Sequence, residues 1–200
     1  MFTGIVAELG TVSATEPLDG GIRLVIDATS TLAGLEVGDS VAVNGVCLTV
    51  VNHTGTSFTV QVVDESLARS ALGSVGVGSP LNLERPLAAD GRFDGHIVQG
   101  HVDGVGVVAS IDREGEASRV RITIPAGLDR YIVEKGSITV DGTSLTVTAV
   151  SDRGVDEPWF EIVLIPHTLD VTVFGSISRG SKVNLEVDVI AKYVERMLGT

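Results

Sequence analysis

An internal repeat constrains the fold of this chain more than any other feature of its sequence. Residues 41–50, VAVNGVCLTV, correspond to residues 138–147, ITVDGTSLTV, and residues 58–84 correspond to residues 160–186 without a gap. The opening FTGIV aligns with VDGVG at residues 102–106. Similarity over several segments in the same order indicates duplication. The sequence therefore predicts two homologous domains of about 100 residues, each long enough to bury its own core.

Both halves have the pattern of antiparallel β-structure. Short runs rich in Val, Ile and Thr alternate apolar with polar residues, and turn signals separate them about every 8 to 12 residues. Asn44-Gly45 and Asp141-Gly142 stand between such runs and favour the positive φ angles of a type I′ turn. We therefore expect an all-β fold with a tight hairpin at each dipeptide. Residues 85–100, rich in Pro, Gly and Asp, are expected to link the halves.

The last residues have a different period. Val189, Ile190, Tyr193, Val194, Met197 and Leu198 recur at helical spacing, which predicts a short amphipathic helix. So short a helix needs a surface to pack against, either its own barrel or the same helix of other subunits. Two further short helices are expected at residues 64–72 and 166–174, where Asp64 and Pro166 are good first residues.

Charge and composition exclude several classes of function. The chain has 14 basic and 26 acidic residues and a net charge of -12, which disfavours binding to nucleic acid or to an anionic membrane. No apolar run is long enough for a membrane helix. The single cysteine excludes an internal disulfide, and the opening MFTGIVAELG lacks signal-peptide features. We expect a soluble cytoplasmic protein whose partner is a small molecule or another copy of itself.

Alternation along the two hairpins predicts a polar patch on the outside of each barrel. Val46, Leu48 and Val50 should face inward, so that Cys47 and Thr49 face outward, and Ser144 and Thr146 should do the same in the second half. These pairs either bind a ligand or are ordinary exposed strand residues, with Cys47 a small apolar side chain.

Other kinds of site find little support in the sequence. The histidines, His53, His96, His101 and His167, have no metal-ligand spacing, so no metal site is expected. The sequence has neither a phosphate-binding glycine loop nor a GxSxG nucleophile motif.

Five motifs together resemble the riboflavin synthase family, whose members contain two lumazine-binding repeats. They are MFTGIV, NGVCLTV, DGTSLTV, GHIVQGHVDG and the repeated GS-x-[LV]-NLE, and in order they span essentially the whole chain. The resemblance implies tandem six-stranded antiparallel Greek-key barrels at residues 1–97 and 98–188, followed by a helix at residues 189–200. It also implies a homotrimer assembled through those helices, and it leaves open an association with lumazine synthase.

The same resemblance implies a reaction. Two molecules of 6,7-dimethyl-8-ribityllumazine would exchange a four-carbon unit to give riboflavin and 5-amino-6-ribitylaminouracil, without a cofactor. The N-terminal barrel of one subunit would face the C-terminal barrel of the next. Which barrel holds the donor molecule stays open.

The resemblance also implies substrate-binding residues in both barrels. In the N-terminal barrel these are Gly4, Ile5, Val6, Cys47, Leu48, Thr49, Gln61, Val62, Val63, Asp64, Glu65 and Ser66. In the C-terminal barrel they are Gly100, His101, Val102, Lys135, Ser144, Leu145, Thr146, Val163, Leu164, Ile165, Pro166, His167 and Thr168.

The chemistry requires a proton to leave the 7-methyl group of one lumazine and a nucleophile to add at C7 of the other. The candidate catalytic residues are His101 as proton shuttle, Ser144 and Cys47 as nucleophiles or polarising donors, and Asp141 and Asp188 as charged partners. Asp141 can equally be explained as the first residue of its turn. The exchange of Cys47 for Ser144 between the repeats predicts two sites of unequal reactivity.

Two other functions are compatible with such a fold. One is a non-catalytic carrier of lumazine or flavin, in which one repeat would have drifted; here both hairpins keep the outward polar pair, which favours the enzyme. The other is the flavin-binding barrel of a reductase, which would require an RxYS-like motif and a following nucleotide-binding domain. Neither occurs in this sequence.

Overall fold

The computed structural model describes residues 1–199 and contains two closed barrels, each built from six antiparallel strands. The first barrel comprises β1 (Glu8–Leu18), β2 (Gly21–Asp27), β3 (Ser40–Val43), β4 (Val46–His53), β5 (Ser57–Val63) and β6 (Pro80–Glu84). The second comprises β7 (Gly104–Glu114), β8 (Ala117–Thr123), β9 (Ser137–Val140), β10 (Thr143–Val150), β11 (Trp159–Leu164) and β12 (Lys182–Val187).

The two barrels have the same topology. Around the first, the strands follow the order β1-β2-β5-β4-β3-β6, and the second closes in the corresponding order. Register shifts fall at matching places in both, after Val12 and Val108 in the first strand and after Val50 and Val147 in the fourth. The predicted duplication and the six-stranded antiparallel barrels are confirmed, whereas the exact domain limits stay a prediction.

Alternation along the strands fills each barrel with aliphatic side chains. Phe58 and Phe160 occupy matching, fully buried positions among Val, Leu and Ile residues from all sides. Full burial of a side chain of this size contributes about 1.5–3 kcal/mol, so each barrel has a core of its own.

Both predicted hairpin turns are present. Asn44 and Gly45 have φ angles of 45° and 76°, and Asp141 and Gly142 have φ angles of 44° and 78°. The strands pair directly on either side, Val43 with Val46 and Val140 with Thr143. These are two-residue turns with positive φ at both positions, as in type I′.

The short helices begin at the predicted residues. Helix α1 spans Asp64–Arg69 and helix α2 spans Pro166–Val171, and a 3-10 turn follows each of them. Residues 85–100 contain no strand, although Val98 forms an isolated bridge with Phe2.

Helix α3 (Val189–Leu198) packs on the second barrel with one face and leaves the other uncovered. The Asp188 side chain accepts a hydrogen bond from the Ile190 N–H at its start, and Gly199, with φ of 70°, ends it. Lys192 Nζ lies 2.5 Å from Asp103 Oδ1, and Arg130 Nη1 lies 2.7 Å from Glu195 Oε1. Five apolar side chains of the helix are exposed, Ile190, Tyr193, Val194, Met197 and Leu198, and three of them, Ile190, Val194 and Leu198, line an open cleft with Tyr131 of the barrel.

Thr200, the last residue of the predicted helical segment, lies outside the described residues. Within residues 1–199, no helix has the length and apolar character needed to cross a bilayer.

Candidate functional site

The two barrels meet at their hairpins, around an approximate local twofold axis. Gly45 and Gly142 face each other so closely that a Cβ on either would lie 2.7 Å from the backbone nitrogen of the other. Both also have positive φ. Glycine is therefore required at both turns by the contact between barrels as well as by the turn itself.

Two asparagines tie the barrels together across this axis. Asn82 Nδ2 donates to the Asp141 carbonyl at 2.8 Å, and Asn184 Nδ2 donates to the Asn44 carbonyl at 2.8 Å. Their side-chain oxygens accept from backbone N–H groups of the opposite barrel, Asn82 from Val173 and Asn184 from Ala71. The asparagine of each repeated NLE motif thus belongs to the interface between barrels.

Asp141 is the counterpart of Asn44 in this interface. Asn44 Oδ1 accepts from the Asn82 N–H at 2.7 Å, and Asp141 Oδ1 accepts from the Asn184 N–H at 2.8 Å. Asp141 is only 4% exposed, and burial raises its pKa to about 7. The structure therefore supports the explanation of Asp141 as a turn and interface residue.

Two segments lie between the barrels, and we call them the lead-in segments: residues 2–6 and 98–102. They pair with each other through Phe2 and Val98, which are both fully buried and exchange backbone hydrogen bonds of 2.7 and 3.2 Å. Each segment then reaches the hairpin of the barrel to which it does not lead. The Gly4 carbonyl accepts from the Ser144 N–H at 2.7 Å, and the Gly100 carbonyl accepts from the Cys47 N–H at 2.9 Å.

These contacts correct two expectations. Gly4 is equivalent to Gly100, so FTGIV corresponds to VQGHV at residues 98–102 and the alignment with VDGVG was wrong. The lead-in segments act largely through their backbone, which leaves little side-chain signal to fix the register. The grouping of pockets was also wrong, because Gly4 lies against Ser144 and Gly100 lies against Cys47.

The predicted binding residues therefore form two half-sites. The N half-site consists of residues 47–49 and 61–66 with the lead-in residues 100–102, and the C half-site consists of residues 135, 144–146 and 163–168 with residues 4–6. In each barrel the start of the fourth strand lies beside the end of the fifth, because these strands are antiparallel neighbours.

Both half-sites are open surfaces. Thr49 and Thr146 are exposed, and Leu48 is buried as the alternation predicts. Apolar side chains at the edges are also uncovered: Ile5 is 47% exposed, Val63 57% and Ile165 56%. These edges leave room for a ligand or for another protein surface.

Lys135 lies on the loop before β9, in a backbone conformation unusual for a residue with a side chain. Its φ is 65°, and its N–H donates to the Val147 carbonyl. In the first barrel the same place is taken by Gly38, with φ of 98° and a bond to the Val50 carbonyl. Only the second barrel therefore has an amine at this position. It lies beside Val147, which is three residues along β10 from Ser144.

His96, which the sequence did not identify as a site residue, is hydrogen-bonded to Ser144. Its Nδ1 lies 2.6 Å from Ser144 Oγ, and its Nε2 lies 3.1 Å from Thr139 Oγ1. The ring is 8% exposed, and burial lowers its pKa, partly opposed by the charge of Asp188. Near neutral pH the ring is thus a neutral base with both nitrogens engaged. Forty-eight residues separate His96 from Ser144, so no local pattern could have revealed the pair.

The matching position in the first barrel has a different environment. There Ala42 replaces Thr139 and Cys47 replaces Ser144, and Cys47 packs with Phe2, Ala42 and Val98 in a small apolar cluster. The two half-sites are therefore chemically unequal in more than the exchange of a thiol for a hydroxyl.

The remaining catalytic candidates divide between these environments. The backbone N–H of His101 is bound by the Glu186 carboxylate, and its exposed side chain belongs to the N half-site with Cys47. Asp188 caps α3 and acts on His96 through its charge. Ser144 is thus grouped with His96, and not with His101.

Comparison with known proteins agrees with the division into two similar barrels. The model of the lumazine binding domain family matches residues 3–86 and again residues 99–188, one match for each barrel. By fold and repeat, the chain is a protein of two lumazine-binding domains.

Relatives that match almost the whole chain identify the family within this class of proteins. The chain is 51% identical over 199 residues to a riboflavin synthase of Mycobacterium tuberculosis, covering 99% of this chain and 98% of the relative. It is 43% identical over 198 residues to a riboflavin synthase of Bacillus subtilis, covering 99% and 90%. The chain belongs to the riboflavin synthase family.

Solved structures with the same fold contain a ribityl lumazine or riboflavin. LumP complexed with 6,7-dimethyl-8-(1'-D-ribityl) lumazine is similar to this chain with a TM-score of 0.83 at 26% identity, covering 94% of this chain and 99% of LumP. LumP complexed with riboflavin has a TM-score of 0.85 at 28% identity, with the same coverage.

Proposed function

We propose that this protein is a riboflavin synthase. It converts two molecules of 6,7-dimethyl-8-ribityllumazine into riboflavin and 5-amino-6-ribitylaminouracil by moving a four-carbon unit from one molecule to the other. The observation that carries the proposal is the match to curated riboflavin synthases over the full chain, with a lumazine-binding domain in each barrel. We expect no cofactor, because the electrons that one lumazine loses are taken up by the other.

A duplicated barrel suits a reaction between two identical molecules. Each half-site would hold one lumazine, and two half-sites facing each other would hold the reacting atoms in register. Such positioning can contribute about 7–11 kcal/mol to lowering the barrier, since no bimolecular encounter remains to be made.

The half-sites that face each other belong to different subunits of a homotrimer. Within one chain, the buried pair of Phe2 and Val98 joins the two lead-in segments that run to opposite half-sites. The apolar face of α3 is exposed and offers a surface for assembly, which favours the intersubunit alternative for this helix. Cytoplasmic location and association with lumazine synthase stay predictions of the sequence.

The contacts suggest roles for the two half-sites. In the C half-site, we assign neutral His96 the tautomer in which Nδ1 accepts a hydrogen bond from the Ser144 hydroxyl and Nε2–H donates to Thr139 Oγ1. Ser144 is thereby able to pass a proton between lumazine and His96. In the N half-site, Cys47 supplies a thiol in a more apolar setting and His101 supplies a second, exposed imidazole.

The proposal is tested by adding purified protein to 6,7-dimethyl-8-ribityllumazine alone and separating the products by chromatography. Riboflavin should form in half the molar amount of lumazine consumed, with an equal amount of 5-amino-6-ribitylaminouracil. Tight binding of lumazine with altered fluorescence and no riboflavin would contradict the proposal and indicate a carrier.

A further inference from the structure

Two buried glutamates hold the backbones of the lead-in segments. Glu84, at the end of β6, accepts from the Thr3 N–H at 2.7 Å, the Thr3 hydroxyl at 2.8 Å and the Gly4 N–H at 3.0 Å. Glu186, in β12, accepts from the N–H groups of Gln99, Gly100 and His101 at 2.6, 2.9 and 2.9 Å. Each is the glutamate of a repeated NLE motif, so the two arrangements are copies of each other.

Within residues 1–199, the hydrogen bonds of both carboxylates go to the lead-in segments. Glu84 is 7% exposed and Glu186 is 3% exposed, and neither forms a salt bridge within residues 1–199. Burial raises the pKa of both groups. Burying a carboxylate without a cation is unfavourable, and the three donors of a lead-in segment are what offsets that cost.

Each glutamate binds a lead-in segment that contacts the half-site of the opposite barrel. Glu84 belongs to the first barrel, but the segment that it holds lies on Ser144 in the second. Glu186 belongs to the second barrel, but its segment lies on Cys47 in the first. The contacts are close, since a Cβ on Gly4 would lie 2.6 Å from Ser144 Cβ and one on Gly100 would lie 2.7 Å from Cys47 Cβ.

We propose that Glu84 is a positioning residue for the C half-site and Glu186 a positioning residue for the N half-site, each acting on the barrel to which it does not belong. The effect on catalysis rests on the function proposed above, whereas the effect on geometry does not. Each barrel thus completes the binding surface of the other, and neither half-site has its full set of residues in an isolated domain.

Each half-site contains a side chain whose reactivity or pKa reports on local geometry without any measurement of enzyme activity. Cys47 is the only cysteine, is half-buried under Gly100, and reports on the N half-site through its rate of alkylation. His96 reports on the C half-site through its pKa, measured by NMR of the full-length protein, because its ring is bonded to Ser144.

The variants Glu84→Gln and Glu186→Gln are matched controls for each other. A glutamine keeps the shape of the side chain but replaces one accepting oxygen by an NH2 group, which then faces a backbone N–H. We expect Glu186→Gln to speed alkylation of Cys47 roughly tenfold, as for the loss of one charge-assisted hydrogen bond, and to leave the His96 pKa unchanged. Glu84→Gln should shift the His96 pKa and leave the alkylation rate unchanged.

Crossed effects of this kind, with riboflavin formation lowered in both variants, are the result that supports the proposal. Changes in both probes in both variants, or in the probe of the glutamate's own barrel, would overturn it. If the glutamine variants do not fold, Glu84→Asp and Glu186→Asp withdraw the carboxylate by one methylene and should give the same crossed pattern. Crossed probe effects in a protein that makes no riboflavin would contradict the proposed function alone.

Discussion

Asn44 and Asp141 accept equivalent hydrogen bonds in the two barrels, but only Asp141 has a side chain that can gain or lose a proton. Asn44 is neutral at every pH, whereas Asp141 is buried between the barrels with a pKa raised to about 7 from 3.8. The folded protein therefore holds the Asp141 proton over a range in which the unfolded chain releases it. One substitution between two repeats makes the interface of the barrels sensitive to pH.

The Asp141→Asn variant should lose this sensitivity. A raised pKa in the folded state stabilises the wild type fully below pH 4, and that stabilisation is lost as the pH rises towards 7, by at most about 1.4 kcal/mol per pH unit. The free energy of unfolding of Asp141→Asn relative to wild type should thus rise between pH 4 and 7 and level off above. Urea unfolding at fixed protein concentration measures it.

Asn44→Asp is the matched control, because it places the same carboxyl in the first barrel. It should introduce the pH dependence that Asp141→Asn removes. Parallel pH profiles for wild type and Asp141→Asn would show that the Asp141 carboxyl titrates normally in the folded protein.

His96 gives the second prediction at the scale of single residues. Replacing His96 by Gln should lower kcat by roughly 10²-fold, since a positioned general base contributes at least about that much. In wild type, activity should fall at acid pH as His96 becomes protonated, below the ordinary histidine pKa of 6.5 because burial lowers it. His96→Gln should lack this acid limb.

Thr139→Ala is the control for His96→Gln. It places in the second barrel the alanine that the first barrel has at the equivalent position, Ala42. It removes the partner of Nε2 and leaves the base in place, so a smaller loss with the acid limb retained is expected. Full activity of His96→Gln would exclude a role for the pair of His96 and Ser144.

At the scale of elements, sequence reasoning worked where the local pattern decides the structure. The Asn44-Gly45 and Asp141-Gly142 turns, the starts of α1 and α2, and helix α3 follow from turn chemistry, capping residues and period. The lead-in segments did not follow, because their place depends on backbone contacts with the opposite barrel. The same reason hid His96, whose partners lie 43 and 48 residues away.

Helix α3 carries the prediction about assembly. Met197 is 77% exposed at the centre of the apolar face, so Met197→Glu should leave the barrels folded and prevent association. Light scattering should show a mass near three times 20.8 kDa for wild type and a shift towards one chain for the variant. Arg196→Glu, which changes charge on the polar face of the same helix, should remain trimeric.

The whole molecule is a duplicated unit in which each lead-in segment contacts the hairpin of the opposite barrel. The fold class could be predicted from the repeat and from alternation within each half, whereas the binding residues were implied by the family resemblance and stay predictions. The assignment of lead-in segments to half-sites could not be predicted, because crossing between barrels is a property of the assembled pair. In the homotrimer proposed above, the N half-site of one chain would meet the C half-site of the next.

Complementation between two inactive variants tests this shared site most directly. Thr49 and Thr146 are exposed at matching positions, so Thr49→Arg should block the N half-site and Thr146→Arg the C half-site without unfolding either barrel. Each variant alone should be inactive. Co-expressed in equal amounts, they should recover about a quarter of wild-type riboflavin formation, the chance that two neighbouring chains supply one intact half-site each. Mixed trimers that stay inactive would show that both lumazines bind within one chain.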